Sequence, residues 1–152
     1  MATTVGTESS INDLVTDLIY LEHDAIAAYD ATVERLDDPD AKRQISAFRA
    51  DHQQHLAVLH EMARELGVGA PQGGDLKKML TTGKVAIADM VGGDSAILKA
   101  MKTNEDDTVT AYERASRHGD AISRSKAFFA KALEDERRHR SWMESWAQGR
   151  AA

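Results

Sequence analysis

The sequence predicts an all-α chain: a four-helix bundle of two antiparallel hairpins joined by a long crossover that contains a short helix. Three observations predict it. Ala, Leu, Glu, Lys and Arg dominate, and alternating β-branched runs are missing. Four long segments carry an apolar stripe at helical spacing. The chain has two prolines, Pro39 and Pro71, and both stand where a helix has to stop.

The first helix is expected from about Ile11 to Leu36, opening after Ser9-Ser10, whose hydroxyls can cap it. Asp37-Asp38-Pro39-Asp40 closes it and starts the second, from Asp40 to Leu66, which ends at Gly67-Val68-Gly69-Ala70-Pro71. A third is expected from Ser95 to Ser116, with Asp94 or Ser95 as cap after Gly92-Gly93. His118-Gly119-Asp120 breaks it, and a fourth runs from Ala121 to Ala147. Residues 67–94 are too many for a tight turn, and Leu76, Met79, Leu80, Val85, Ile87 and Met90 mark a short amphipathic helix over Leu76 to Met90. Two short joins and one long one give two hairpins with a crossover. Residues 1–10 read as a disordered tail, and residues 11–148 as a single bundle domain.

Bundle helices bury positions alternately three and four apart. In the first helix that track is Val15, Leu18, Glu22, Ala25, Tyr29, Thr32, Leu36, and in the second Ile45, Phe48, His52, His55, Leu59, Met62, Leu66. In the third it is Leu98, Met101, Glu105, Thr108, Tyr112, Ala115, and in the fourth Ile122, Ser125, Phe129, Ala132, Glu136, His139, Met143, Trp146. Each track is mostly apolar and is interrupted near its middle by Glu or His. An ionised carboxylate in an apolar core is costly unless it is paired or binds a metal. Glu22, Glu105 and Glu136 therefore need partners, and His52, His55 and His139 converge on the same layer. Residues three apart share a helix face, so Glu136 and His139 can grip one ion.

The halves repeat one another. Glu22-His-Asp-Ala-Ile-Ala-Ala-Tyr29 parallels Glu105-Asp-Asp-Thr-Val-Thr-Ala-Tyr112, and Asp51-His-Gln-Gln-His55 parallels Asp135-Glu-Arg-Arg-His139. A repeated hairpin with a repeated constellation implies a pseudo-twofold site between the halves. Tyr29 and Tyr112, two turns beyond Glu22 and Glu105, read either as core packing or as hydrogen-bond donors behind the ligands. His23, His60 and His118 fall off the stripes and read as solvated. Arg137, Arg138 and Arg140 read as an exposed face, Trp142 and Trp146 as core or interface, and Asp51 lies one position off its stripe.

Composition bounds the chemistry. The chain of 152 residues is 42% hydrophobic and 29% charged, a normal globular mix with room for a proper core. It has no cysteine, which removes disulfides, thiolate zinc sites, iron–sulfur clusters and cysteine nucleophiles. The net charge of −6 disfavours nucleic acid as a partner. No stretch approaches the ~20 apolar residues of a membrane span, and the small, polar first ten residues do not read as a secretory signal. The expectation is a cytoplasmic protein.

Two helices each giving a Glu, and two each giving Glu-x-x-His, is the ligand set of di-iron and di-manganese carboxylate bundles. On these residues, with the Gly74-Asp-Leu-Lys-Lys-Met-Leu80 and Asn104-to-Ala115 stretches, the chain resembles the ferritin-like superfamily, which includes the rubrerythrins. It is most similar to the small bacterial ferritin-like families of undefined function, over Ile11 to Trp146. The resemblance implies Glu22, Glu105, Glu136, His55 and His139 as metal ligands, with Glu136 as bridge. His52 departs from the pattern, standing where a second bridging Glu is expected. It is carried as the sixth candidate, an extra nitrogen ligand. The departure leaves open a site with one carboxylate bridge, a single metal, or zinc in place of iron.

The resemblance further implies a di-metal protein, iron foremost with Mn or Zn as alternatives, acting on O2 or peroxide as a ferroxidase or peroxide-consuming stress protein. Without cysteine, electrons need a donor other than a rubredoxin-type centre. Two other readings stand beside it: a metal-binding or storage module without turnover, and a metal-free dimerising bundle whose polar layer only enforces specificity. A homodimer is expected, through the crossover helix or apolar residues of the last helix.

Overall fold

The computed structural model describes residues 3–71, 87 and 90–151. They form four helices and no strand: α1 (Ile11–Arg35), α2 (Pro39–Leu66), α3 (Asp94–Ser116) and α4 (Ser123–Ala151). The crossover helix expected over Leu76 to Met90 lies outside the described residues except for Ile87 and Met90. Among the described residues, no helix is long and apolar enough to cross a membrane.

The helix ends follow local chemistry. Ser10 caps α1 by accepting the Asp13 N–H at 3.1 Å. Asp38 caps α2 by accepting the N–H groups of Asp40 and Ala41, each at 2.9 Å, with Pro39 in the first turn where its missing N–H costs nothing. Gly67 ends α2 in the left-handed conformation, φ 71°, which a side chain rarely adopts. The Val68 N–H then returns to the Ala63 carbonyl at 2.9 Å, closing the exposed end of the helix.

The start of α3 corrects the sequence expectation. Neither Asp94 nor Ser95 caps it; Gly93 holds the cap position, without a side-chain bond. The Asp94 carboxylate instead accepts the N–H groups of Asp37 and Asp38, both at 2.9 Å. It thereby pins the α1–α2 turn to the first turn of α3. The α4 helix starts at Ser123 rather than Ala121, because the chain is still turning there, with Ala121 N–H bonded to the His118 carbonyl at 3.2 Å.

The α1–α2 and α3–α4 pairs form the two hairpins, α1 also packs against α3, and of these neighbouring pairs α2 and α4 approach least closely. The apolar core falls into two clusters. One gathers Leu14, Val15, Leu18, Leu59, Tyr112 and Phe129, the other Tyr29, Ile45, Phe48, Leu98, Met101 and Met143. Burying one such aliphatic or aromatic side chain contributes about 1.5–3 kcal/mol. The stripes run out at one end: Leu66, the last residue of α2, is 37% exposed, and Ile122, just before α4, is 61% exposed. Residues 3–10 lie along α3. Asp107 accepts the Thr3 N–H at 3.3 Å, and Arg114 donates to the Thr3 carbonyl at 2.8 Å.

Candidate metal centre

Between the two apolar clusters all four helices turn an ionisable side chain inward. Glu22 from α1, His52 and His55 from α2, Glu105 from α3, and Glu136 and His139 from α4 are each at most 3% exposed. The helical repeat places them at one height, as the spacing of the two hairpins implies. They fall into two overlapping groups. Glu22, His52, His55 and Glu136 each offer one ligand atom within 4.8 Å of the others, and so do His52, Glu105, Glu136 and His139. His52 and Glu136 belong to both. All six residues singled out from the sequence are therefore brought together.

The distances give each a neighbour. His52 Nδ1 is 2.7 Å from Glu22 Oε2, and its Nε2 is 3.4 Å from Glu105 Oε1 and 3.5 Å from Glu136 Oε2. His55 Nδ1 is 3.3 Å from both Glu22 Oε1 and Glu136 Oε1. His139 Nδ1 is 3.5 Å from Glu136 Oε2. Glu136 Oε1 is buried yet receives no hydrogen bond, since the His55 contact is not aligned for one. A buried carboxylate oxygen without a donor costs about 1–3 kcal/mol or more. A cation between Glu136 and its neighbours removes that cost, and a set of carboxylate oxygens and imidazole nitrogens suits divalent iron, manganese or zinc. The residues present are thus compatible with a metal site.

Two tyrosines act behind the carboxylates, in a crossed pattern. Tyr112 donates to Glu22 Oε1 at 2.6 Å, and Tyr29 donates to Glu105 Oε1. Each tyrosine serves the glutamate of the other hairpin. Burial and the neighbouring carboxylates push both phenols well above their ordinary range, so both stay protonated donors. Both are also fully buried in the core, so packing and donation are roles of the same residues.

The sequence reading missed the groups that orient the histidines. His55 Nε2 is 2.8 Å from Asp135 Oδ2, and His139 Nε2 is 2.8 Å from Asp51 Oδ2. Each aspartate lies four residues before one histidine and contacts the other, across the α2–α4 seam. Arg138 donates to Asp51 at 2.8 Å and to Asp135 at 3.3 Å, and Lys131 also pairs with Asp135. Such carboxylates fix the ring orientation of a metal-binding histidine and raise its basicity. The available signal was the repeated Asp-x-x-x-His in both halves. Thr108, on the α3 stripe, donates to Glu105 Oε2 at 2.8 Å or to Glu136 Oε2 at 3.0 Å, where the other half has Ala25. Outside the layer, His23 and His60 are half-buried neighbours with ring centroids 6.1 Å apart, and His118 holds the Glu8 carbonyl at 2.8 Å. These three were expected to be solvated. Instead each is partly covered by a neighbouring segment.

The metal-free layer is held by ion pairs. Burial raises the Glu136 carboxyl, but the His52 charge and neighbouring donors outweigh it and hold it well below its ordinary range. Glu22 is lowered in the same way, burial being outweighed by His52 and His55. Burial would lower His55, yet Glu136 and Glu22 lift it to about 10. His52 rises well above its ordinary 6.5 against the same burial, through Glu136, Glu22 and Glu105. Glu105 is pushed up to about 7 by burial and then by the Glu136 charge.

Comparison with known proteins bears on the fold and the family. A crystal structure of a conserved hypothetical protein, rv2844, from Mycobacterium tuberculosis matches with a TM-score of 0.74. It is 17% identical, over 91% of this chain and 98% of that one, a likeness that shows the fold. No curated protein matches the sequence. A family model matches residues 9–118, a span that holds Glu22, His52, His55 and Glu105 and stops short of Glu136 and His139. With most of its length matched, the chain belongs to the family described as Domain of unknown function (DUF2383).

Proposed function

We propose that the chain is a ferritin-like di-metal protein that holds two divalent cations, iron foremost, in the layer between its hairpins. Glu22, His55 and Glu136 would hold one of them, and Glu105, His139 and Glu136 the other. His52 stands beside both. One observation carries the reading: two buried four-residue groups share Glu136, and one oxygen of that shared carboxylate has no hydrogen-bond donor. The crossed aspartates and tyrosines support it, because they orient histidines and carboxylates in the way metal ligands are oriented.

An iron pair supplies one-electron and O2 chemistry that side chains lack, and the proposed activity is ferroxidase or peroxide-consuming oxidoreductase chemistry. The chain's own residues do the rest. Asp51 and Asp135 hold His139 and His55 in place, Tyr29 and Tyr112 fix one oxygen each of Glu105 and Glu22, and the two apolar clusters exclude water above and below. Thr108, within reach of both Glu105 and Glu136, can pass a proton between carboxylates.

The protonated pairs formed by His52 and His55 favour one second reading, a metal-free polar layer that fixes the register of the hairpins. Metal analysis of protein purified without chelator separates the two. About two ions per chain are expected, and Glu136→Ala is expected to lower that number. No bound metal, together with no melting shift on adding Fe(II), Mn(II) or Zn(II), selects the metal-free layer. Oxygen consumption with added Fe(II) then distinguishes turnover from passive binding.

A further inference from the structure

No electron carrier can touch the candidate centre directly, because its six residues are at most 3% exposed. The chain has no cysteine with which to hold a metal relay of its own. One side of the layer offers a path instead. His139, Trp142 and Trp146 stand on one face of α4, spaced by three and then four residues. Phe48 of α2 lies against this face. Its ring centroid is 4.2 Å from that of His139 and 5.6 Å from that of Trp142, and Trp142 is 6.5 Å from Trp146. Each step is an ordinary ring contact. His139 is fully buried, whereas Trp142 and Trp146 are partly exposed. The row of rings therefore leads from a histidine of the layer to the surface.

The two ends of the core differ in this respect. Beside His55 the next rings are Phe128, at 6.0 Å, and then Phe129, 5.7 Å further on. A benzene ring is hard to oxidise, whereas an indole gives up an electron readily. Both of the chain's two tryptophans stand in the His139 row. Tyr29 and Tyr112 are oxidisable as well, but they are fully buried and hold Glu105 and Glu22, so neither reaches the surface.

We propose that Trp146 and Trp142, with Phe48 bridging to His139, conduct single electrons from a donor at the surface to the buried centre. The inference rests on the di-metal reading, with a redox-active metal. Taking one peroxide to two waters consumes two electrons and two protons, so an iron pair that supplies the electrons has to regain them from outside. In each transfer Trp142 gives one electron inward to the oxidised pair and regains one from Trp146. Trp146 regains its own from a one-electron reductant in solution, which is the species oxidised overall. Both indoles end unchanged. When no reductant is present, the indole itself is consumed: it takes the oxygen of one water and loses two electrons and two protons, which complete the reduction of one peroxide.

Two readouts test this. In the first, the Fe(II)-loaded chain meets hydrogen peroxide without a donor, and modified residues are mapped by peptide mass spectrometry. Hydroxylated Trp142 and Trp146 are expected, and neither in the metal-free chain treated alike. Trp142→Phe keeps a ring in place but breaks the row, and is expected to lower modification of Trp146 about tenfold; Trp142→Tyr, whose phenol also gives up an electron, is expected to restore it. In the second, reduced methyl viologen returns the oxidised protein to the ferrous state. Trp142→Phe is expected to slow this about tenfold, with Fe(II) affinity and melting temperature as in wild type. Trp146→Phe is the second variant, expected to slow the same step while Trp142 is still modified. A radical diffusing in solution strikes Trp146 whatever stands at position 142. Equal modification of Trp146 in Trp142→Phe and wild type therefore overturns the conduit, as do equal rates of re-reduction. Fe(II) that binds but does not react with peroxide overturns the conduit and leaves the metal site standing. Failure of the wild type to bind Fe(II) at equilibrium removes the di-metal reading and the conduit with it.

Discussion

His52→Glu puts the departure from the di-iron ligand pattern to a quantitative test. In the metal-free chain His52 is a fully buried cation, 2.7 Å from Glu22 and about 3.5 Å from Glu105 and Glu136. Replacing it removes the cation and adds a fourth carboxylate to a layer that already holds three. At an effective dielectric of ~20, each contact near 3 Å is worth about 5 kcal/mol of Coulomb energy, reversed in sign by the substitution. Desolvation and proton uptake absorb part of this, and breaking a buried pair costs about 3–5 kcal/mol in practice. At roughly 2–4 °C per kcal/mol for a chain of this size, the chelator-treated variant is expected to melt about 6–20 °C below wild type.

With metal the sign reverses. His52 has to give up its proton when metal binds, whereas a carboxylate in its place adds a negative charge beside the ions, so affinity is expected to rise. A tenfold tightening adds about 1.4 kcal/mol to the metal-dependent stabilisation. Thermal denaturation by circular dichroism, in chelator and in excess Mn(II) or Fe(II), measures both arms. His52→Gln is the control: it loses the cation without adding an anion, so it melts low in chelator and gains no extra response to metal. If His52→Glu melts at or above wild type in chelator, or if its metal-induced shift is no larger than the wild-type shift, the assignment of His52 as the place of a missing bridge is wrong.

Three further outcomes are expected. Asp51→Asn and Asp135→Asn are each expected to weaken metal binding about 10–100-fold by calorimetric titration, to similar extents because the two aspartates are pseudo-symmetric; an unchanged affinity removes their orienting role. The metal-free chain is expected to be most stable between the ordinary carboxyl value of 4.5 and the ordinary imidazole value of 6.5. Lowered Glu22 and Glu136 contribute stability that is lost as pH falls below that window. Raised His52 and His55 contribute stability present below 6.5, and the His55 part is lost as pH rises towards about 10. Melting in chelator across pH checks this, and a maximum above pH 8 would contradict it. Tyr112→Phe removes a 2.6 Å donor to an ionised, buried Glu22 and is expected to cost about 1.5–3 kcal/mol in chemical denaturation, where no loss would show that water or His55 replaces the hydroxyl.

What the sequence displays is what helical periodicity controls. The six residues of the layer stand on four stripes because a buried polar side chain in an apolar track is visible without knowing the neighbours, and short loops force the middles of hairpins to one height. Asp51 and Asp135 were not visible in that way. Each lies one position ahead of a stripe, turned about 100° towards the next helix. Whether such a residue reaches solvent or the facing histidine depends on how near α2 comes to α4, a tertiary quantity. Asp94 shows the same limit on a smaller scale. In a helix-start pattern an aspartate reads as a cap, yet here its carboxylate accepts two N–H groups of the α1–α2 turn instead. Leu66 and Ile122 fail in the opposite sense: the apolar period runs on to positions where the helix itself ends or has not begun.

The partition of the core explains how the layer can be carried at all. A polar stratum of three carboxylates and three histidines displaces apolar residues that would stabilise the bundle at less cost, and buried ion pairs are frequently less stable than apolar replacements of equal volume. The two apolar clusters lie one on each side of the layer, each drawing on residues of all four helices, so each half of the bundle has an apolar core of its own. Helix caps and the Asp94 tie fix the hairpin ends independently as well. The apolar clusters thus offset the cost of carrying the layer. The departures from pseudo-twofold symmetry also fall within it, where His52 faces Glu136 and Ala25 takes the place of Thr108. A layer that served only to set register would gain from symmetric, fully paired groups. This one keeps a Glu136 oxygen without a hydrogen-bond donor and adds the Thr108 hydroxyl on one side alone, which is the distribution expected if two unlike positions have to be completed by ions.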